Sequence, residues 1–284
     1  MIVSKIQFKK ILILIVCGLS LTEVKAATVF QQQLSAVAGA GACGGSVGCV
    51  TEDNKPLQVV PFNGSLSSKI SSSLSDGSYA NANADISFGH AHVYADAHRT
   101  FNASLDSLSG IIVGDAQSQG SVEQIDYIDT SNLLNSIYKF QYDVHGSHTL
   151  TDNTYPNNIS AYSYLYYSIT DLATDTYLDY GNWSSSDASP NVNIIKNVLV
   201  PNGDTIAVRV EFEANAYVMS NNAASYLTAV SDYSHTLDVY IDPVTPGANT
   251  TGISGHDYAS PIPVAPSICL FGSALLGYLG LKRL

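Results

Sequence analysis

A period of two is the strongest constraint on how this chain folds. Tyr138, Phe140, Tyr142 and Val144 alternate with Lys139, Gln141, Asp143 and His145. Ile206, Val208, Val210, Phe212, Ala214 and Ala216 alternate with Ala207, Arg209, Glu211, Glu213 and Asn215. Ile159, Ala161, Ser163, Leu165, Tyr167 and Ile169 alternate with Tyr162, Tyr164 and Tyr166. Successive side chains of a strand point to opposite faces, so each pattern describes a strand with one face buried and one wet. Turn-forming clusters punctuate them: Gly146-Ser147, Asp152-Asn153, Pro156-Asn157-Asn158, Gly181-Asn182, Ser189-Pro190-Asn191 and Pro201-Asn202-Gly203-Asp204. Short strands at this spacing, with no sustained helical repeat between them, predict an all-β fold, an antiparallel β-sandwich of jelly-roll type. Charged residues make up only 13% of the chain, too few for a helical bundle, while 18 Tyr are too many for disorder. Tyr79–Ala97 is ambiguous, because its alanines also tolerate a helix. Residues 27–48, three Gln followed by Ala and Gly, read as a loose arm that adds at most an early strand. No internal repeat is visible.

Charge excludes one class of partner. The chain carries 12 Lys+Arg against 24 Asp+Glu, and six of the twelve bases sit at the two ends. Residues 27–260 therefore hold six bases and 23 acids, a net of −17. Such a body repels phosphate backbones, so no nucleic acid is expected as a partner.

Both ends read as addressing segments. Lys5, Lys9 and Lys10 form a basic leader, followed by the apolar run Ile11–Leu21 and by Val24-Lys25-Ala26-Ala27. That run, eleven residues interrupted only by Cys17, Gly18 and Ser20, falls short of the roughly 20 that span a bilayer. A cut after Ala26 completes the layout of a secretory signal peptide, with residues 1–26 as its helix. Lipid attachment at Cys17 would need a small residue before it, where Val16 stands. At the other end Ile268–Leu281 carries no charge and is followed at once by Lys282 and Arg283. That run predicts an apolar C-terminal helix that enters the membrane with its bases on the cytoplasmic side and the acidic body outside.

The tail also carries a family resemblance. Pro261-Ile262-Pro263, the span containing Leu270-Phe271-Gly272-Ser273-Ala274-Leu275-Leu276-Gly277, and the terminal basic pair look like a PEP-CTERM sorting signal, most closely its Pro-Leu-Pro variant. Asp232-Tyr233-Ser234-His235-Thr236-Leu237, then Asp242-Pro243, then Gly252-Ile253-Ser254-Gly255-His256-Asp257-Tyr258, resemble the closing stretch of many ectodomains of such proteins. The resemblance covers about the last fifty residues. It implies a signal peptide (1–26), an ectodomain (27–260) and a sorting tail (261–284), with an exosortase-like membrane protease as partner.

Candidate chemistry within the body is sparse. Cys43 and Cys49 flank Gly-Gly-Ser-Val-Gly, and in an oxidising exported setting they are expected to form a disulfide. Gly44-Gly45-Ser46-Val47-Gly48 matches the nucleophile-elbow pattern, but neither the buried strand nor the helix that strains such a serine is readable around it. His90, His92, Tyr94, Asp96 and His98 share one face if that stretch is a strand; His90 and His92 are the candidate metal pair, and the plainer reading is the polar face of a strand backed by Ala91, Val93, Ala95 and Ala97. Asp171–Asp179 lacks the spacing of a calcium loop. Tyr162, Tyr164 and Tyr166, with Tyr177, Tyr180 and Trp183, suggest an aromatic sheet face on which sugar rings stack. The reading is a non-enzymatic, cofactor-free surface protein with a structural or adhesive role in an exopolysaccharide or biofilm matrix. The alternative is a carbohydrate-binding module using that aromatic face.

Overall fold

The computed structural model describes residues 32–44, 48–54, 57–58, 64–74, 77–100, 114–131, 133–151, 159–185, 191–201, 203–220 and 226–260. The expected signal peptide and sorting tail, with both terminal helices and Pro261, Ile262, Pro263, Lys282 and Arg283, lie outside the described residues. Among the described residues the chain forms thirteen strands and no helix. These are β1 (Gln33–Gly44), β2 (Gly48–Asn54), β3 (Leu57–Gln58), β4 (Ser65–Ser73), β5 (Tyr79–Ser87), β6 (His90–Thr100) and β7 (Gly114–Asp129). They continue with β8 (Ser136–Thr151), β9 (Ile159–Asp171), β10 (Thr176–Ser185), β11 (Val192–Val200), β12 (Thr205–Ser220) and β13 (Tyr226–Pro243).

Two antiparallel sheets stack into a sandwich. The front sheet has seven strands in the order β10-β9-β12-β7-β1-β2, with β3 also pairing β1; the back sheet has six, β11-β8-β13-β6-β5-β4. The three alternating stretches became β8, β9 and β12, and their apolar members are the buried ones. The ambiguous Tyr79–Ala97 is the β5–β6 hairpin, with Ala80, Ala82, Ala84, Ala91, Ala95 and Ala97 all facing inward. The early strand expected within residues 27–48 is present as β1, but it is not loose: its 12 residues are paired on both sides. Its inward Ala36, Ala38, Ala40 and Ala42 give it a buried face of its own.

The core is uneven in a way that shapes the surface. Toward β8, β9, β12 and β13 it is aromatic: Tyr142 stacks on Tyr167 at 4.5 Å, and Phe212 meets Tyr233 edge-on at 5.3 Å. Offset and edge contacts of this kind add to the area that the rings bury. Toward β1, β5 and β6 it is mostly alanine, so the sheets there are separated by methyl groups. Both exposed edges near the aromatic end are blunted against further strand pairing. A bulge between Tyr177 and Asp179 interrupts β10, and Lys196 stands on the inward-facing side of β11, opposite Phe140.

The closing stretch that carried the family resemblance forms a clasp. Asp126 on β7 is fully buried. Its Oδ2 accepts hydrogen bonds from Ser254 Oγ (2.5 Å) and Tyr258 Oη (2.9 Å). Its Oδ1 accepts from the amides of Tyr127 (2.9 Å) and Ser254 (3.2 Å). The chain then ends its described course at Ser260, whose amide and hydroxyl both donate to Asp242, itself paired with Lys139 at 2.7 Å.

Candidate functional site

The outward face of the front sheet follows from its register. Residues directly opposite one another on neighbouring strands share a face. One outward row runs Gly41, Gln117, Tyr217 and Ser160 across β1, β7, β12 and β9, and the next runs Gly39, Gln119, Asn215 and Tyr162. Together they line a groove of about 500 Å³, within the size range of small-ligand sites. Ala40, Ser118 and Ala216, which alternate with these rows, complete its lining. At the β1 end the two glycines leave bare backbone as the floor. Tyr162 is 43% exposed and Asn215 only 8%, so the ring is accessible and the amide is held. Burial first, and then Asp115, push the Tyr217 hydroxyl above its ordinary pKa, which keeps it a neutral donor. The groove therefore offers aromatic surface together with side-chain amides and hydroxyls that both donate and accept.

Beyond the groove the same face turns acidic. The following rows contain Ser121, Glu213 and Tyr164, then Glu123, Glu211 and Tyr166. Arg209 Nε lies 2.6 Å from Glu123 Oε1, its Nη2 lies 3.4 Å from Glu211 Oε2, and its guanidinium sits 5.7 Å from the Tyr166 ring centre. Burial raises the Glu211 carboxyl above the usual range; Arg209 opposes this, and Glu123 and Glu213 reinforce it.

The structure divides the residues that the sequence grouped. Tyr162, Tyr164 and Tyr166 share the outward face, and Tyr162 alone of them lines the groove. Trp183 does not join them. It pairs opposite Leu165 and so faces the core, 6.5 Å from Tyr233. His90 and His92 do share the outer face of the back sheet, but each imidazole has its own partner. His90 Nδ1 contacts Asp238 Oδ1 at 2.6 Å, and His92 Nδ1 donates to the Ser234 carbonyl at 2.7 Å. Among the described residues no group of three His, Cys, Asp or Glu side chains is placed to hold a metal ion. Cys43 and Cys49 are direct partners in the β1–β2 register, and Gly44 pairs with Gly48. The two end glycines of the elbow-like pattern are therefore partners on adjacent antiparallel strands; Gly45, Ser46 and Val47 lie outside the described residues. Asp171 serves its turn, accepting from the Ala173 amide and the Thr174 hydroxyl, both at 2.9 Å.

Gln117, Gln119, Asn215, Tyr217 and the two glycines were not picked out from the sequence. Asn215 and Tyr217 continue the β12 alternation, so their orientation was readable once that strand was extended. Gln117 and Gln119 lie on β7, which has no hydrophobic alternation.

No protein-family model and no curated protein matches the chain. Among solved structures it is similar to TmCBM61 in complex with β-1,4-galactotriose, at 12% identity over 64% of this chain and 90% of that one, with a TM-score of 0.24. It is also similar to a structure from work on the promiscuous specificity of carbohydrate-binding modules of the β-sandwich superfamily, at 10% identity over 72% and 85%, with a TM-score of 0.17. A third similarity is to the enzymatically active domain of tailspike protein 4 from bacteriophage CBA120, at 8% identity over 53% and 18%, with a TM-score of 0.20.

Proposed function

We propose that this chain is an exported carbohydrate-binding protein held at the cell envelope by its C-terminal tail. One observation carries the binding half: the groove of about 500 Å³ on the front sheet, where Tyr162 and Tyr217 stand beside Gln117, Gln119 and Asn215. Sugar rings present apolar faces to aromatic side chains, and their hydroxyls need partners that both donate and accept, which amides supply. A glycan array probed with the full-length chain tests this. Tyr162→Ala and Asn215→Ala are each expected to weaken retention tenfold or more, about 1.4 kcal/mol. Tyr177→Ala, exposed on β10 and outside the groove, leaves it unchanged. Equal retention by Tyr162→Ala and wild type would remove the groove from the account.

The envelope half rests on the sequence of the ends. The last described residue, Ser260, is tied to Asp242, and the Pro-Ile-Pro segment follows it directly in the sequence. An anchored glycan binder is a structural or adhesive component of an exopolysaccharide matrix, and an exosortase-like protease is the partner that would process its tail. Deleting residues 261–284 is expected to move the protein from the membrane fraction to the medium. A deleted chain that still sediments with membranes would sink the anchor.

A further inference from the structure

We infer that a second glycan-binding surface adjoins the groove, a track of four tyrosines along β9 and β10 over which a long polysaccharide continues after filling the groove; this rests on the carbohydrate-binding reading above. The register lays the track out. From Tyr162, which lines the groove, Tyr164 and Tyr166 follow on the same outward face of β9. Tyr180 then stands opposite Ser168, and Tyr177 opposite Thr170, the next two outward positions of that strand. Ser168 lies six residues beyond Tyr162 and Thr170 eight, which along a strand amounts to about 20 Å and about 27 Å. The track is therefore longer than the groove it leaves.

A bulge builds its far end. Three residues apart on a regular strand, Tyr177 and Tyr180 would face opposite sides of the sheet. The register shift between Tyr177 and Asp179 admits one extra residue, Leu178, which packs against the core, and both tyrosines then face outward. Their rings lie 5.7 Å apart and are 63% and 65% exposed. A single bare ring on a surface needs no explanation, but two neighbouring rings turned to one face by a bulge form a platform.

Polar side chains flank the rings on both sides. Tyr164 has Ser184 of β10 and Glu213 of β12 directly opposite it, and Tyr166 has Asn182 and Glu211. Arg209, opposite Ser168, holds its guanidinium 5.7 Å from the Tyr166 ring centre. Aromatic faces for the apolar side of a sugar, with hydroxyl, amide and carboxylate groups beside them for its hydroxyls, repeat the chemistry of the groove. A chain laid along β9 meets that combination again at successive outward positions.

Titration calorimetry with the full-length chain tests the track, using β-1,3-gluco- and β-1,4-galacto-oligosaccharides of three and ten units. For at least one series the decamer is expected to bind tenfold or more tightly than the trimer. Combining Tyr177→Ala with Tyr180→Ala is expected to remove most of that gain and to leave the trimer unchanged. A short oligosaccharide seated in the groove does not reach Tyr177, which is also why Tyr177→Ala alone leaves its retention intact. Tyr162→Ala weakens trimer and decamer alike. Because a longer chain also offers the groove more registers, the double variant decides: decamer affinity equal to wild type overturns the track, and so does loss of the trimer as well. A wild-type decamer no tighter than the trimer overturns it too. Each of these results leaves carbohydrate binding standing, whereas silence across both series overturns the inference and the binding reading together.

Discussion

Asp126→Ala is expected to lower the free energy of unfolding by about 3–5 kcal/mol. The carboxylate is fully buried, and all four of its hydrogen bonds come from within the protein. Removing it strands the Ser254 and Tyr258 hydroxyls, and a buried donor left without an acceptor costs about 1–3 kcal/mol. Tyr258→Phe removes one donor and leaves the other three, so a smaller loss of about 1–2 kcal/mol is expected. Gly252→Ala should resemble Asp126→Ala, because a Cβ at residue 252 would lie 2.0 Å from Asp126 Oδ2 and push the carboxylate out of place. Urea unfolding of the three variants gives the order directly, and a midpoint for Asp126→Ala indistinguishable from wild type would show that the clasp is decorative. Hydrogen exchange adds a local readout. Loss of protection confined to 249–260 separates release of the closing stretch from general loosening of the sandwich. The clasp ties Ser254 and Tyr258 to β7, and Ser260, two residues further on, is bonded to Asp242.

How much of this was legible depended on whether a strand's buried face was apolar. β8, β9 and β12 were readable because their inward residues are Tyr, Phe, Val, Leu and Ile, set against polar neighbours. β7 was not. Its inward positions are Ala116, Ser118, Gly120, Val122, Gln124, Asp126 and Ile128, so buried and exposed residues are equally polar. The structure supplies the reason for two of them: Gln124 Oε1 accepts the Gly89 amide at 3.0 Å, and Asp126 receives the clasp. Both partners are more than thirty residues away in sequence, where no local pattern records them. β1 was masked differently, since alternating Ala and Gly differ too little in polarity to show a period. The groove inherited both failures, because two of its four strands are β1 and β7. Tyr162 was found because it is aromatic. Trp183 was misplaced for the same reason: an aromatic residue advertises itself without saying which face it occupies, and only the register with Leu165 turns it inward.

Gly120→Val is expected to cost about 3 kcal/mol or more, and with it the groove. The reason is distance rather than backbone freedom. A Cβ built at residue 120 meets the Asn83 carbonyl oxygen at 2.5 Å and the Tyr94 carbonyl oxygen at 2.9 Å. Both belong to strands of the opposite sheet, and backbone atoms fixed in a ladder cannot rotate aside as a flexible side chain can. Packed sheets ordinarily lie about 10 Å apart; here β7 and the hairpin β5–β6 come within 8 Å between Cα atoms, and small buried residues, Ala82, Ala84, Ala95 and Ser118 among them, face one another beside Gly120. Gly120 is flanked by Gln119, which lines the groove, and by Ser121 on the same outward face. The depression on the outer surface thus lies beside this close approach, with Ala40, Ser118 and Ala216 buried beneath it. Forcing the sheets apart at residue 120 lifts β7, so Gly120→Val should lose glycan retention as well as thermal stability. Ser121→Ala, its outward neighbour, should change stability by no more than about 0.5 kcal/mol. Thermal unfolding and the glycan array on the same two proteins decide the matter. A Gly120→Val protein that melts like wild type would mean that the sheets part freely and that thin packing does not shape the groove. One that melts early yet retains glycan would separate stability from the shape of the site.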